Sequence, residues 1–184
     1  VQTLAAFEST LTLTSVKPTI ALHITSLDAH PFRVGFDEGR QLLDLETGVC
    51  RRTVPSDYVT KSLSVSAIGE SSKATRWHRF LHEVFAGDQE LIGWIQRFCG
   101  YGLSASTREQ IFLFLHGSGA NGKSVFVNIL KALMAEYASA IQASTLTQSI
   151  RNAQGASPDI VAMVGRRLVM APEEGMSFFG GDPD

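Results

Sequence analysis

The sequence predicts an α/β fold in two parts. Residues 107–184 are predicted to form a partial parallel sheet with its covering helix, and residues 1–106 a small α+β and helical region before it. Two short apolar runs, IFLFL at 111–115 and RLVMA at 167–171, are typical of strands buried on both faces of a parallel sheet. Between them a glycine-rich turn leads into an amphipathic helix, the strand–turn–helix order of α/β folds.

Composition sets the broad class of the protein. With 44% hydrophobic and 18% charged residues, the 184-residue chain reads as a folded globular protein of one domain, or a small domain joined to part of another. A net charge of −2 gives no support for a strongly basic nucleic-acid binder. No apolar run reaches the ~20 residues that a bilayer span needs, and the N-terminus shows no basic region followed by an apolar core, so we expect a cytoplasmic protein without a membrane partner.

The two cysteines and the two ends of the chain add two expectations. Cys50 and Cys99 are far apart, so the pattern is neither a disulfide framework nor a metal-ligand pair, and reduced thiols are expected. The chain begins with Val and ends in GGDPD, which does not resemble the end of a packed element. We therefore expect a fragment of a longer protein.

Up to about residue 50, β-type runs alternate with turn signals and predict short strands or a hairpin. The runs are TLTLTSV (10–16), TIALHI (19–24), FRVGF (32–36) and QLLDL (41–45). Residues 46–72 are polar and show no helical period, so they are predicted to be a linker.

A pair of helices is predicted over residues 75–100. Apolar side chains recur there at helical spacing on two segments, and Asp88 between them is a plausible N-cap for the second helix. The pair ends at Gly100 and Gly102. We interpret the apolar stripes as core packing; they comprise Trp77, Phe80, Leu81, Val84 and Phe85, then Leu91, Ile92, Trp94, Ile95 and Phe98.

The stretch GSGANGKS (117–124) predicts a phosphate-binding loop, because it has the pattern G-x-x-x-x-G-K-[ST] between a strand and a helix. Glycines let such a loop curl so that backbone N–H groups face an anion, and the following helix adds its positive dipole end. Lys123 would contact the outer phosphates, and the Ser124 hydroxyl would bind Mg²⁺. The predicted nucleotide-binding residues are Gly117, Ser118, Gly119, Ala120, Asn121, Gly122, Lys123 and Ser124.

The helix after the loop is predicted over residues 123–138. Its apolar stripe consists of Val125, Phe126, Ile129, Leu130, Leu133, Met134 and Tyr137. A short helix or turn follows at PDIVAMVG (158–165).

Glu173 and Glu174 are the candidate catalytic carboxylates, to act with Lys123. They follow the apolar run 167–171, at the end of a strand predicted to lie parallel to the loop strand, where a carboxylate could hold the Mg²⁺ shell and polarise the attacking water. Either glutamate could take either role. We favour Glu173 for the metal.

These motifs resemble the ATPase domain of superfamily 3 helicases of the phage and plasmid primase type, a family that includes the primase–helicases of large DNA viruses. The loop form G-x-G-x-N-G-K-S, with Asn121, is similar to that of the family. So are LDAHPFRVGFDEGRQLLDLETG (27–48), WHRFLHEVFAGDQELIGWIQRFCGYGLSAST (77–107) and GRRLVMAPEEG (165–175). The resemblance covers about residues 20–175, and the loop and the helical pair are its most specific parts.

The resemblance implies an ATP- and Mg²⁺-dependent motor that unwinds DNA during replication. Members of this family work as homo-oligomeric rings, typically hexamers, in which a neighbouring subunit's arginine completes each ATP site, and a primase domain often precedes the region seen here. The family continues past the second motif into a sensor motif, an arginine finger and a DNA-contacting loop, whereas this chain ends ten residues after Glu174. We expect that the chain by itself binds ATP–Mg²⁺ weakly at best and does not unwind DNA.

Two alternatives remain open on the sequence alone. One is another P-loop kinase or NTPase, although such kinases usually carry the loop near the N-terminus, and no guanine-reading N-K-x-D or transporter L-S-G-G-Q phrase is present. The other is a truncated, non-catalytic interaction module. The basic pairs at 51–52 and 166–167 are interpreted as solvated surface charge, and His78, His82 and His116 as surface or core residues rather than metal ligands.

Overall fold

Five helices and five strands make up the part of the chain that the computed structural model describes, residues 4–15, 21–66, 74–143, 145 and 158–172. The helices are α1 (Leu4–Ser15), α2 (Thr75–Val84), α3 (Gln89–Leu103), α4 (Lys123–Met134) and α5 (Pro158–Met163). The strands are β1 (Arg33–Phe36), β2 (Gln41–Asp44), β3 (Cys50–Arg52), β4 (Ala138–Ala140) and β5 (Leu168–Met170). None of the described helices is both long and apolar enough to cross a bilayer.

The first sheet is antiparallel, with strand order β1-β2-β3. β1 and β2 confirm the strands predicted at 32–36 and 41–45, and the side chains of Val34 and Leu42, which the register places on opposite faces of the sheet, are both buried. β3 lies in the predicted linker. Its three residues are all exposed, so the strand has no apolar alternation by which to recognise it.

Two of the predicted N-terminal strands do not form. Residues 10–15 belong to α1, and the Thr–Leu alternation that suggested a strand lies on a helix whose described side chains are almost all exposed. Of the run 19–24, the described residues 21–23 are irregular, and Ile24 begins a short 3₁₀ turn that ends at Ser26. Alternation predicts a strand only where a second strand and a core stand beside it.

The predicted helical pair is confirmed as α2 and α3. Asp88 caps α3 as predicted, because its carboxylate accepts a hydrogen bond from the Leu91 N–H at 2.9 Å. α4 packs against this pair through Phe126, whose ring stacks on Trp77 at 5.8 Å. The buried centre of this second core cluster consists of Leu81, Ile95 and Phe126.

The second sheet is a parallel pair, in which Ala138 of β4 faces Leu168 of β5. β5 confirms the strand predicted at 167–171. A 3₁₀ turn at Ala135–Tyr137 replaces the predicted last turn of α4, because the helix ends at Met134 and Ala135 has φ 44; β4 then begins at Ala138. This pair is all of the expected parallel sheet that the described residues contain.

The run 111–115 is the main departure from the predicted fold. Within the described residues it is neither paired as a strand nor buried on both faces. Leu113 and Leu115 pack against the second core cluster, whereas Phe112 and Phe114 are 84% and 63% exposed. A run of five apolar residues does not show whether one or both faces of the segment are buried, because that depends on which other elements pack against it.

A first core cluster joins the N-terminal sheet to α4 and the parallel pair. Its buried residues are Val34, Met134, Tyr137, Ala138 and Met170, drawn from both sides of the predicted boundary at residue 106. The division into two domains stays a prediction about sequence organisation, since the described packing is continuous across it.

Arg167 connects the same elements through its half-buried guanidinium. The group donates to the carbonyls of Leu103 at 2.5 Å and Arg33 at 2.6 Å, and lies 4.6 Å above the Tyr137 ring. Burial lowers the pKa of Arg167, and its hydrogen bonds and the aromatic face replace the lost water. The interpretation of Arg167 as solvated surface charge is therefore wrong.

Candidate nucleotide-binding site

The candidate site is the loop 117–124, where the chain leaves the half-covered run 111–115 and enters α4. The helix begins at Lys123, and Gly122 is its N-cap with φ 83. The first-turn N–H groups of a helix have no partner inside the helix, so they are free to face an anion at this end. Residues 117–120 are exposed, which leaves the loop open to a ligand.

Two of the three loop glycines are required by the protein's own conformation. Gly117 has φ 153, and a Cβ there would lie 2.1 Å from the Asn121 amide nitrogen. Gly122 packs directly on α2, since a Cβ there would lie 2.6 Å from Cγ2 of Val84. No atom lies within 4 Å of a Cβ built on Gly119, so its predicted role of admitting a phosphate stays a prediction.

Lys123 is held across the loop by two uncharged acceptors. Its ammonium donates to the Gly117 carbonyl at 2.7 Å and to the Asn121 side-chain oxygen at 2.9 Å. No described carboxylate forms an ion pair with it. Within the described residues, no ion pair therefore compensates this positive charge at the mouth of the loop, beside the exposed Ser124 in the first turn of α4.

Asn121 is the residue whose contact the sequence does not reveal. In the sequence, Asn121 stands out only because the related family has the same residue in its loop. Its contact with Lys123 depends on how the loop curls at Gly117, which residue spacing does not show. Ala120 is likewise unremarkable in the sequence, yet it has φ 59, a left-handed conformation that costs a residue with a Cβ roughly 1 kcal/mol.

The predicted partner carboxylates Glu173 and Glu174 lie outside the described residues. The last described residue before them is Pro172, two positions beyond the end of β5. Elsewhere in the described ranges, no group of three His, Cys, Asp or Glu side chains could hold a metal ion. His116, which precedes the loop, stacks on the exposed Phe114 with ring centroids 6.4 Å apart.

A cleft of about 460 Å³ lies at the other end of α4 and is unsuited to phosphate. Asp37, Glu38 and Glu136 line it, and their charges would repel an anion. Because Glu136 follows the C-terminus of the twelve-residue α4, this cleft is roughly 18 Å from Lys123 along the helix. This cleft is therefore not a candidate for phosphate binding.

The basic pair 51–52 contributes to the first sheet. Arg51 makes a two-pronged contact with Asp57, at 2.8 and 2.5 Å, and Arg33 lies 3.8 Å from the same carboxylate. The hydrogen bonds from Arg51 lower the pKa of Asp57 to about 2. The guanidinium of Arg51 is thus engaged in holding β3 to the turn that follows it.

Comparison with known proteins finds similarity to one protein family and to two viral proteins named as putative helicases. Residues 5–86, which include α1, the first sheet and α2, match the family described as "D5 N terminal like". The chain is 28% identical over 149 residues to "Putative helicase L207/L206" of Acanthamoeba polyphaga mimivirus, an alignment that covers 78% of the chain and 15% of the relative. It is 26% identical over 133 residues to "Putative helicase 121R" of Invertebrate iridescent virus 3, covering 70% and 14%.

The chain thus spans about one seventh of the length of these relatives. The match at residues 5–86 falls on the sheet and helix that the sequence resemblance marked upstream of the loop. Together these similarities confirm that resemblance: the chain carries a D5 N-terminal-like region and is similar to viral proteins named as putative helicases.

Proposed function

We propose that this chain forms the ATP-binding part of a replicative DNA helicase of the viral and phage primase–helicase type. One observation carries the proposal: the ammonium of Lys123, which forms no ion pair with a described carboxylate, lies at the mouth of an exposed glycine loop, at the N-terminus of α4. Backbone N–H groups, a helix dipole and one cation meet there, which is the combination that binds a polyphosphate.

The donor set fits Mg²⁺-bound ATP. The loop offers N–H donors and a cation for the phosphate oxygens, and no described acidic side chain forms an ion pair with that cation. The exposed hydroxyl of Ser124 would ligate the Mg²⁺, and we assign Glu173 to the metal shell and Glu174 to activation of the attacking water. Bound Mg²⁺ would neutralise charge on the transferring phosphate.

DNA unwinding belongs in this proposal to the longer protein. The relatives named as helicases are about seven times longer than the aligned segment. We therefore propose DNA binding and assembly into a homo-oligomeric ring, typically a hexamer, for the full-length molecule. For the 184-residue chain we keep the expectation of weak ATP binding without unwinding.

Calorimetric titration of Mg²⁺–ATP into the wild type and into Lys123→Ala tests the proposal. Loss of a charge-assisted contact to the outer phosphates should weaken binding about 10- to 100-fold. Lys131→Ala is the matched control, because Lys131 is an exposed lysine in the last turn of the same helix, and this variant should bind as the wild type does. Equal binding by Lys123→Ala and the wild type would remove the phosphate-loop assignment.

The same titration and an ATPase assay together address the rival interpretations. A non-catalytic interaction module would bind no nucleotide in the same titration. Strong DNA-stimulated ATP hydrolysis by the isolated 184-residue chain would contradict the expectation that the activity needs further segments, while leaving the assignment of the loop intact.

A further inference from the structure

The side chain of Asn121 closes a three-residue contact across the phosphate loop. Its oxygen accepts from the Lys123 ammonium at 2.9 Å, and that ammonium also donates to the Gly117 carbonyl at 2.7 Å. The amide nitrogen of Asn121 occupies the space beside Gly117 where a side chain would begin, 2.1 Å from the position of a Cβ. Each member of the set is in contact with the other two.

We propose that Asn121 is a positioning residue that holds the Lys123 ammonium at the mouth of the loop before nucleotide arrives. The inference rests on the proposed function of the loop and deepens it. The inference concerns the position of the Lys123 ammonium in the absence of nucleotide, whereas the proposed function concerns the ligand that this ammonium binds.

The donor inventory of the ammonium supports this role. A lysine ammonium has three N–H donors. Two are directed at Gly117 and Asn121, which leaves one for an incoming phosphate oxygen. A free lysine side chain would lose its rotamer freedom on binding, whereas here the loop has already restricted it.

An uncharged acceptor is what such a role requires. The Asn121 oxygen attracts the ammonium without cancelling its charge. An aspartate at the same position would form an ion pair with Lys123 and place a negative charge among N–H groups that face an anion. It would therefore hold the lysine more strongly and bind phosphate less well.

Gly117 completes the arrangement. Its φ of 153 and the amide nitrogen against its Cα exclude a side chain, so the glycine is needed to admit Asn121 as well as to curl the loop. The contact between Asn121 and Lys123 therefore follows from the conformation at Gly117.

A double-mutant cycle with Mg²⁺–ATP as the probe tests the role of Asn121. Asn121→Ala should weaken binding about 3- to 10-fold when Lys123 is present and have no further effect in the Lys123→Ala background. A general loss of loop structure would weaken binding equally in both backgrounds, and that result, or no weakening at all, would overturn the proposal.

Reactivity of Lys123 provides a readout that needs no nucleotide. Acetylation of Lys123 by an N-hydroxysuccinimide ester, followed by mass spectrometry, should be several-fold faster in Asn121→Ala than in the wild type. In Asn121→Asp it should be slower than in the wild type, although this variant binds Mg²⁺–ATP more weakly than Asn121→Ala does. Unfolding cannot produce that opposite pair of changes, because it would expose the amine.

The two readouts separate the two hypotheses. If the wild type binds no Mg²⁺–ATP, the proposed function fails, and the acetylation rates still decide whether Asn121 holds Lys123. If the wild type binds nucleotide but Asn121→Ala leaves the acetylation rate of Lys123 unchanged, the positioning role fails and the proposed function stands.

Discussion

Replacement of Tyr137 by phenylalanine tests whether its hydroxyl ties the segment that follows α4 to the N-terminal region. The Tyr137 side chain is 1% exposed, and its hydroxyl bridges two backbone groups of the N-terminal region. It accepts from the Gly35 N–H and donates to the Lys61 carbonyl, each at 2.9 Å. Phenylalanine keeps the ring and its packing, so only the bridge is removed.

The expected loss of stability follows from the two groups left behind. The Gly35 N–H is buried, and an unsatisfied buried donor costs about 1–3 kcal/mol. The Lys61 carbonyl is half-buried and regains part of its hydrogen bonding from water, so we assign it about 0.5–1 kcal/mol. The free energy of unfolding should therefore fall by about 1.5–4 kcal/mol, a large fraction of the ~5–15 kcal/mol typical of a domain.

Urea unfolding followed by tryptophan fluorescence measures this loss. Trp77 reports on the second core cluster, where it stacks on Phe126. Tyr58→Phe is the matched control, because Tyr58 is 44% exposed and its removal of a hydroxyl should change stability by less than about 0.5 kcal/mol. If Tyr137→Phe unfolds at the same urea concentration as Tyr58→Phe, the bridge does not join the two regions and the reasoning is refuted.

Three further predictions concern the first sheet, the loop and the exposed run. Asp57→Asn should lower the free energy of unfolding by about 1 kcal/mol at neutral pH, because Arg51 is 42% exposed and water screens the ion pair. The folded-state pKa of Asp57 is about 2, below its usual 3.8. The stability difference between wild type and variant, measured by urea unfolding, should therefore vanish as the pH falls from about 4 to 2. Ala120→Gly should leave the melting temperature nearly unchanged, because removing the strain of a Cβ at φ 59 offsets the greater entropy of the unfolded chain. Ala132→Gly within α4 should lower stability by about 1 kcal/mol. Equal losses in the two variants would contradict the left-handed conformation of Ala120. Phe112→Ser should cost less than about 0.5 kcal/mol in the same unfolding assay, and a loss of 3 kcal/mol or more would show that Phe112 is buried, as a strand covered on both faces requires.

The helices α2, α3 and α4 were the predictable part of this fold because their periodicity is set by one-sided burial. α2, α3 and α4 each place apolar residues on a single stripe, and the cap at Asp88 is a local signal. β3 and β4 carry no comparable signal. The sequence CRR is wholly exposed and ASA is made of small residues, so both strands exist because a neighbouring strand pairs with them.

The candidate site also has one part that the sequence predicts by a local signal and one part that depends on contacts through space. The sequence identifies the loop because glycine, lysine and serine at fixed spacing have a direct chemical meaning. It does not identify the contact of Asn121 with Lys123, since that contact is made through space by a loop whose shape depends on the unusual φ of Gly117. The roles of Glu173 and Glu174 stay predictions.

The shared core gives the D5 N-terminal-like region a physical relation to the loop. α4 carries Lys123 at its first residue and ends at Met134, which packs with Val34 of the N-terminal sheet. Over twelve residues a helix is rigid and roughly 18 Å long, so the sheet and the loop are held at opposite ends of one body. Arg167 strengthens the sheet end, because its planar guanidinium donates to two carbonyls and also lies over Tyr137. A lysine there would offer only a point charge and could not satisfy that geometry. The N-terminal region therefore acts as part of the support that fixes the direction of α4, and hence the direction in which the candidate phosphate-binding loop opens.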